Sequence, residues 1–499
     1  MNFLVGFIIP FLSFLLQSYP RFFNKYFGVD VWTRLTETDL IRKNNHKIPG
    51  KITKGFIIDG YFDYPPLFPL LLSFIPKQTL ENIQGFVAPF FDLIHCYVIF
   101  LIALQLTNSI EISLLSQLIY MSTPLIALEN SYLTPRSFGY LNFTLATYPL
   151  LIYSLDHKLI YLLIGYIFTT LIFLSHRFAT QSFLFVVIFF TVIDKTLFYF
   201  LVFSAGLLTA LLLTKRYYLR VLKGHWSNIY FWILNYKYRF SHQVRGNIKN
   251  KQNKDFVALI YSLLSKLSPI ALLGINIWIV SAFVFFYARI KNIEFVPFNN
   301  PMFYKMSLWI LFFYLFAIAV LSIKRLIPIG EGQRYLEMAT APSSILSAIL
   351  FYSLFNSELK VISIYLFILL VIANLSLIVF IQNKGVIKDK DRTLNQDMKK
   401  MYDFINKMKL TPRIICIPHQ ITTMTLYNTK ADILVNADNE KLMTMFDFYP
   451  IIKKPIEKIA KKYKLDHLLL RENFAKLKEL EIKNPKIVFK AGDIVLVKL

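Results

Sequence analysis

The residue with the clearest chemical potential follows the first apolar run of the chain. Asp30 lies about ten residues beyond that run, close enough for its carboxylate to sit where the run ends. A part-buried carboxylate in such a position can act as a general base that takes the proton from an attacking hydroxyl. The alternative is structural: Asp30 would cap a helix that runs from Val31 to Lys43, with Thr33 in its first turn. The spacing leaves both roles open, and they are compatible.

The composition places this residue in a membrane protein. Of the 499 residues, 56% are hydrophobic and only 17% are charged, whereas a soluble protein carries about 25% charged residues. Several apolar runs approach the ~20 residues that span a bilayer. This excludes an ordinary cytosolic enzyme, a disordered chain and a coiled coil. Only two cysteines occur, Cys96 and Cys416, so no disulfide framework is available.

The charge balance favours anionic partners at a membrane. The chain has 55 Lys and Arg against 30 Asp and Glu, a net charge of +25. This excess points to lipid headgroups or phosphate-bearing substrates. We expect no nucleic-acid partner, because no recognition helix or aromatic–basic motif accompanies the charge.

The apolar runs predict an all-α polytopic membrane bundle over residues 1–383, with about eleven transmembrane helices. The first run, about residues 3–19, lacks a signal-peptide cleavage site and is interpreted as a retained helix. Short and long connections alternate, so one membrane face carries the long loops 20–83 and 215–266, the stretch 324–341 and the tail. The Lys and Arg content of long loops does not decide which face this is, since the positive-inside rule applies to short loops.

The tail, residues 384–499, has the pattern of a small soluble α/β domain. Short buried strands are predicted at Arg413–Ile417, 433–435 and 468–470, a basic amphipathic helix at 451–464, and a terminal hairpin over 487–499. The tail contains neither GxGxxG nor GxxxxGK[ST], so nucleotide binding has no support.

The first loop resembles that of a known family. Its later part reads Tyr61-Phe62-Asp63-Tyr64-Pro65-Pro66-Leu67 and leads into a new apolar run. An acidic residue after helix one, followed by a Tyr-Phe-acid-x-Pro-Pro-Leu segment, is similar to the GT-C superfamily of integral membrane glycosyltransferases. Within it, the pattern resembles the protein O-mannosyltransferases and the lipid A aminoarabinose transferases. The family often pairs Asp with Glu in this loop, whereas here Val31 follows Asp30.

The resemblance implies a sugar donor carried on a polyprenyl phosphate and transfer with inversion at the anomeric carbon. It also implies that the long loops and the tail lie on the non-cytoplasmic side of the cell membrane. Asp30 would be the general base, and Asp63 and Tyr64 would bind substrate in a loop that closes on the sugar. The leaving phosphate gains negative charge in the transition state, so a nearby arginine or lysine would stabilise that state directly.

Two segments could supply these cations. One follows a predicted span and contains Glu331, Arg334 and Tyr335. There Arg334 would grip the phosphate and Glu331 would orient it or bind the acceptor; the alternative is a local Glu331–Arg334 pair at a helix start. The other contains His176 and Arg177, at the junction of two predicted spans, where charged groups are functional or extend to the interface.

Other polar residues are second-tier candidates. Asp92 and His95 share one face of an apolar helix, and either a function or a hydrogen bond that ties two helices would explain them. The histidines form no zinc-binding cluster. Asp30, Asp59 and Asp63 could gather a divalent cation if the fold brings them together. A divalent cation is therefore a possible cofactor, the metal is left unknown, and no other cofactor is assigned.

The loop 215–266 combines basic and aromatic residues. Such a segment usually lies in the plane of the lipid headgroups. It is predicted to be an interfacial anchor, with a lid that binds lipid phosphate as the alternative. Arg136 is a weaker candidate cation, and Lys324 and Arg325 are predicted anchors.

We therefore predict a membrane glycosyltransferase of the cell envelope that moves a sugar from a polyprenyl-phosphate donor to a hydroxyl of a lipid, glycan or protein acceptor. A lipid-linked glycan transporter or flippase is disfavoured. Such proteins are often built from repeated halves with midplane sites, whereas this sequence shows no internal repeat and its polar segments lie on one side. A polysaccharide polymerase or ligase of a different fold shares the substrates but not the first-loop pattern. A non-catalytic envelope scaffold would leave that pattern unexplained.

Overall fold

A computed structural model describes residues 2–130, 132–238, 266–291, 300–482 and 485–499. Most of the predicted loop 215–266, including Arg239 and Arg245, lies outside the described residues. The contacts divide the chain into two compact units. Unit 1 comprises the described residues of Met1–Lys25, Gly85–Lys215 and Ile260–Ile387, and unit 2 those of Tyr26–Gln84, Arg216–Leu259 and Lys388–Leu499. This division differs from the predicted boundary after residue 383, because the contacts group the first long loop with the tail.

Helices dominate the described chain. In chain order the described α-helices are α1 (Asn2–Val5), α2 (Ile8–Phe23), α3 (Asp30–Lys43), α4 (Leu67–Ser73), α5 (Lys77–Thr107), α6 (Ile110–Met121), α7 (Pro124–Glu129), α8 (Arg136–Asp156), α9 (Leu159–Ser175), α10 (Arg177–Ile193), α11 (Phe198–Leu213), α12 (Tyr217–Asn235), α13 (Ser268–Ile275), α14 (Val280–Ile290), α15 (Pro301–Ser322), α16 (Gly332–Glu337), α17 (Thr340–Phe355), α18 (Lys360–Gln382), α19 (Gln396–Lys407), α20 (Thr422–Asn428) and α21 (Ile456–Tyr463).

Several of these helices have the length and composition of membrane spans. Among the described residues, Lys77–Thr107, Pro301–Ser322 and Lys360–Ile387 are each long and apolar enough to cross a bilayer. Counting each of two sharply bent helix pairs as one span raises the number to five. Helices α6, α9, α10 and α17 are apolar but shorter. The count of about eleven spans therefore stays a prediction.

In unit 1, aromatic side chains pack α8 against α10 and α15. The ring of Phe143 on α8 lies 5.9 Å from Phe183 on α10, and 5.9 Å and 5.7 Å from Trp309 and Phe313 on α15, measured between centroids. Inside a bilayer, where lipid is as apolar as the side chains, such packing drives helix association. Each aromatic pair contributes about 0.5–1.5 kcal/mol beyond its buried area. The contacts fix α10 against α8 and α15.

Unit 2 contains the described strands. They are β1 (Lys51–Ile52), β2 (Phe56–Ile58), β3 (Gly60–Tyr61), β4 (Arg413–Ile417), β5 (Asp432–Asn436), β6 (His467–Arg471), β7 (Lys486–Ala491) and β8 (Ile494–Lys498). Strands β1 and β3 pair with each other, and the other six form one sheet in the order β2-β5-β4-β6-β8-β7. The first four strands of that order are parallel, and β8 and β7 are antiparallel.

The sheet is built from both the tail and the first loop. The predicted tail elements correspond to β4, β5, β6, α21 and the β7–β8 hairpin. The edge strand β2, however, comes from the first loop, where Phe56 pairs with Ile433. Strands β4, β6 and β8 are buried along nearly their whole length, as expected for strands covered on both faces. The predicted domain 384–499 therefore lacks one strand of the sheet that the described residues form.

The two faces of the sheet carry different helices. Ile415 of β4 belongs to a buried cluster with Phe231 of α12 and Ile456 of α21. Cys416 points to the opposite face, because successive side chains of a strand alternate. There α20 follows β4, and its Thr425 lies 3.2 Å, Oγ1 to Oη, from Tyr402 of α19. Helix α3 packs on α20.

Candidate active site

The predicted site residues are divided between the two units. Unit 2 contains Asp30, Asp63 and Tyr64, and unit 1 contains His176, Arg177, Glu331, Arg334 and Tyr335.

Asp30 begins α3, one residue before the predicted start of this helix at Val31. Val29 occupies the cap position, with φ −80° and ψ −49°, and Asp30 is the first helical residue. The capping role considered for Asp30 is therefore not the one it adopts, although a carboxylate in the first turn still interacts favourably with the positive end of the helix. Its side chain is exposed. Thr423 Oγ1 donates to the carbonyl of Val29 (3.3 Å), which ties the start of α3 to the tail.

Arg34 is a residue to which sequence reasoning assigned no role. Its guanidinium carbon lies 3.8 Å from the ring centroid of Tyr64, and its Nη1 lies 2.5 Å from Glu37 Oε2. Burial alone would lower the pKa of Arg34, but Glu37, Tyr64 and Asp30 together raise it above its usual value. Arg34 thus links two predicted site residues, Asp30 and Tyr64. The sequence signal was its spacing, four residues after Asp30 and three before Glu37, which places all three on one helix face.

Asp63 is turned toward the tail. Its carboxylate accepts hydrogen bonds from the backbone N–H (2.7 Å) and the Nδ2 (3.2 Å) of Asn439. Neighbouring side chains of an extended chain point in opposite directions, so Tyr64 reaches Arg34 while Asp63 reaches Asn439. Asp63 braces the loop, and its predicted contact with substrate stays a prediction.

The first-loop carboxylates do not fit a metal site. Asp59 pairs with Lys51 and Lys441, the latter at 2.6 Å. Hydrogen bonds from these two lysines lower the pKa of Asp59 to about 2. A carboxylate already neutralised by two lysines is a poor ligand for a divalent cation. Within the described ranges, no three His, Cys, Asp or Glu side chains are grouped closely enough to hold an ion.

In unit 1, the two predicted cationic segments meet. Gly330 has φ +150°, and a Cβ there would lie 2.7 Å from the ring of Phe178, so this position requires glycine. Tyr335 is fully buried; its hydroxyl donates to the carbonyl of Ile329 (2.8 Å) and accepts from Gln181 Nε2 (2.5 Å). The turn before α16 is therefore fixed against the first turn of α10. Tyr335, predicted to bind substrate, lies in the interior, where it positions this turn.

Glu331 and Arg334 form the local pair that the sequence left as an alternative. Arg334 Nε lies 3.0 Å from Glu331 Oε2, and Gln333 Nε2 donates to the same oxygen at 3.0 Å. The Arg334 side chain is 26% exposed. This pairing orients the guanidinium of Arg334, and its predicted contact with a phosphate stays a prediction.

His176 caps α10, and Arg177 is the first residue of that helix. His176 Nδ1 accepts a hydrogen bond from the backbone N–H of Ala179 (3.4 Å). His176 packs closely on α8: a Cβ atom added at Gly139 of α8 would lie only 2.8 Å from the Cβ of His176. The ring of Phe178, next to Arg177, packs against that of Tyr335 in a tilted arrangement with centroids 4.5 Å apart. His176 thus has a structural function, and its predicted role in binding substrate stays a prediction.

Asp92 and His95 are joined through a third residue. The hydroxyl of Tyr120 on α6 donates to Asp92 Oδ1 (2.7 Å) and lies 3.0 Å from His95 Nδ1. His95 Nε2 lies 2.8 Å from Thr144 Oγ1 on α8. These contacts tie α5 to two neighbouring helices, which agrees with the structural alternative given for this pair.

Comparison with known proteins identifies the fold. No protein-family model matches the chain, and no curated protein matches it in sequence. In three dimensions it is similar to the Archaeoglobus fulgidus oligosaccharyltransferase in the apo form, with a TM-score of 0.60 and 11% identity over 94% of this chain and 69% of that chain. The same enzyme in complex with Zn and sulfate gives 0.59 and 11%, over 94% and 68%.

A second structure covers nearly the whole of both chains. ArnT from Cupriavidus metallidurans bound to undecaprenyl phosphate is 10% identical, with a TM-score of 0.47, over 98% of this chain and 97% of that chain. At such identities a likeness in three dimensions reports on fold. The chain therefore shares the fold of the Archaeoglobus fulgidus oligosaccharyltransferase, and its long apolar helices agree with an integral membrane protein.

Proposed function

We propose that the protein is a membrane glycosyltransferase that moves a sugar from a polyprenyl-phosphate carrier to a hydroxyl acceptor. The observation that carries this proposal is the exposed carboxylate of Asp30 in the first turn of α3, on a fold shared with an oligosaccharyltransferase. Arg34 and Tyr64 beside it form a rigid pair that fixes the surroundings of this carboxylate.

In the proposed reaction, Asp30 accepts the proton of the acceptor hydroxyl as the oxygen attacks the anomeric carbon. The bond from that carbon to the phosphate oxygen breaks, and the polyprenyl phosphate leaves with the electron pair. Attack from the face opposite the leaving group inverts the anomeric configuration in a single displacement. General-base assistance of this kind contributes about 10²–10⁴-fold to rate.

The cations of unit 1 are proposed to bind the donor phosphate. Arg334 is held by Glu331 and is partly exposed, and Arg177 begins α10 in a half-buried position. Charge-assisted hydrogen bonds from a guanidinium to phosphate are short and strong. The charge that develops on the leaving phosphate would be stabilised by the same groups. His176 and Tyr335 would position them.

The remaining features of the proposal come from the family resemblance. The long loops and the tail are placed on the non-cytoplasmic side of the cell membrane. The proposal also includes about eleven membrane spans and an α/β tail that faces water. The acceptor is a lipid, a glycan or a protein.

The decisive experiment uses the full-length protein in lipid nanodiscs with a panel of radiolabelled prenyl-phosphate sugars. Asp30→Asn should lower transfer by at least about a hundredfold, since an amide cannot accept the proton, while donor binding is retained. Asp39→Asn is the matched control on the same helix, because Asp39 pairs with Arg42 (3.2 Å) and Lys43 (2.7 Å). Full activity in the Asp30 variant would reject the assigned base.

A further inference from the structure

A cavity of about 230 Å³ lies in unit 2 at the carboxyl end of β4. The chain leaving β4 continues into α20 on one face of the sheet, whereas the chain leaving β6 turns to Phe474, which packs on the opposite face. In open α/β sheets, ligands bind in the crevice outside the strand ends where successive connections leave to opposite faces. The cavity occupies that crevice. Two of its lining residues, Trp232 and Tyr238, belong to the loop 215–266, which was predicted to be an interfacial anchor or a lid.

Aromatic side chains form its walls. The ring centroid of Tyr449 lies 4.4 Å from that of His419 and 6.0 Å from that of Trp232 on α12. Phe231, which is fully buried, stacks on Tyr449 at 5.7 Å with nearly parallel rings. Trp232, His419 and Tyr449 are each only half-buried. They therefore present ring surface to the cavity while Phe231 supports them.

The described lining of the cavity carries no formal charge. Among the described residues that line it, none is Asp, Glu, Lys or Arg. Burial lowers the pKa of His419 to about 4, so its imidazole is uncharged at neutral pH. Its Nδ1 lies 3.3 Å from Thr422 Oγ1, and Gln420 adds an amide to the lining. A buried phosphate or carboxylate requires a cationic partner, and the described lining supplies none. The ammonium of Lys453, 5.9 Å from the Tyr238 ring, donates to Asn235 Oδ1.

We propose that this cavity binds one sugar ring of a neutral glycan and is the acceptor subsite of the enzyme, an inference that rests on the proposed function. A pyranose ring has faces of C–H groups and an edge of hydroxyls. Its slightly positive C–H groups stack on the negative faces of aromatic rings, and its hydroxyls suit neutral donors and acceptors. The volume lies below the ~300–1,000 Å³ of sites for drug-sized ligands, which fits a single ring better than a peptide or a lipid chain.

The position of the cavity connects it to the proposed base. Val29 lines the cavity and immediately precedes Asp30, and consecutive Cα atoms are about 3.8 Å apart. The hydrogen bond from Thr423 to the Val29 carbonyl holds this junction on the tail. The proposed base is therefore the residue next in sequence to one that lines the cavity. Of the three acceptor classes left open above, the cavity favours the glycan.

The test is saturation-transfer NMR of the full-length protein in detergent with a panel of methyl hexopyranosides as probes. Wild-type protein should saturate the ring protons of at least one glycoside. Trp232→Ala should weaken that binding by about tenfold or more, whereas Trp232→Phe, which keeps an aromatic face, should stay within about threefold. Trp226→Ala is the matched control, because Trp226 lies on the same helix and is 67% exposed. Melting temperatures of all variants verify folding.

The outcomes separate this inference from the proposed function. Asp30→Asn should bind the glycoside as wild type does while failing to transfer sugar. No saturation of any glycoside by a wild-type protein that transfers sugar would overturn the inference and leave the function intact. Equal binding by wild type and Trp232→Ala, or tighter competition by N-acetyltyrosinamide, would also overturn it. Glycoside binding without any transfer would support the cavity assignment and reject the function.

Discussion

Replacing Arg34 by leucine should loosen α3 locally. Arg34 and Glu37 are 13% and 16% exposed and lie 2.5 Å apart, and the guanidinium also covers the ring of Tyr64. Removing one partner of a buried ion pair costs about 3–5 kcal/mol, and both side chains here keep some contact with solvent. We therefore expect Arg34→Leu to lower the local stability of α3 by roughly 3 kcal/mol, a figure that includes the lost cation–π contact. This corresponds to about a hundredfold increase in local opening.

Hydrogen exchange measured by mass spectrometry on peptides from Asp30–Lys43 reports this opening directly. Amide protection in α3 should fall by about a hundredfold in Arg34→Leu. The double variant Arg34→Leu/Glu37→Leu should recover much of that loss, because an apolar pair often replaces a buried ion pair without penalty. Lys43→Leu is the matched control on the same helix. Its partner Asp39 lies at 2.7 Å, but Lys43 is 72% exposed, and such pairs contribute only about 0–1 kcal/mol.

Two results would refute this reasoning. If Arg34→Leu and Lys43→Leu changed the protection of α3 equally, the Arg34 pair would be no stronger than a surface pair. If the double variant were as poorly protected as Arg34→Leu alone, the cost would come from lost packing and not from the Glu37 carboxylate left without its cation.

Three further predictions concern other parts of the molecule. Arg334→Ala should weaken binding of a radiolabelled prenyl phosphate by about tenfold or more, since it removes a phosphate cation, whereas the exposed Arg325→Ala should not; equal effects would remove Arg334 from that role. Tyr335→Phe should lower the free energy of unfolding by about 1–2 kcal/mol, because the buried Gln181 amide loses one hydrogen-bond partner. An unchanged melting temperature would contradict the positioning role. Because the folded pKa of His419, about 4, lies below its ordinary 6.5, unfolded chains bind more protons between these values. The contribution of uncharged His419 to the free energy of unfolding should therefore be fully present above pH 6.5 and should fall toward pH 4 by at most roughly 3 kcal/mol. His419→Gln should flatten this pH dependence in melting curves recorded at several pH values.

Local patterns in the sequence were sufficient for several elements of the structure. The helix after Asp30 was predicted to end at Lys43 and does so. The strand Arg413–Ile417 has the predicted bounds, because a short apolar run with turn residues around it specifies a buried strand. The Glu331–Arg334 pair follows from a spacing of three residues. Each of these features depends on neighbours within one or two helical turns.

Hydropathy also indicated a membrane protein, and the first-loop residues indicated the fold. Both signals are compositional or local: a bilayer requires long apolar helices, and the first-loop motif occupies one short stretch of the chain. Hydropathy did not fix the number of spans, because several apolar helices are shorter than a bilayer requires.

Only the tertiary structure decided which distant segments meet. The strand at Phe56 joins the tail through Ile433, Arg34 lies on Tyr64, and the aromatic cavity combines α12 with the ends of β4 and β6. Periodicity specifies that a side chain is buried, but it does not specify the partner that buries it, since many apolar surfaces satisfy the same pattern. The chain alone therefore determined the class of protein and its local elements, while the surroundings of Asp30 and the neutral cavity beside Val29 arose from packing between segments far apart in sequence.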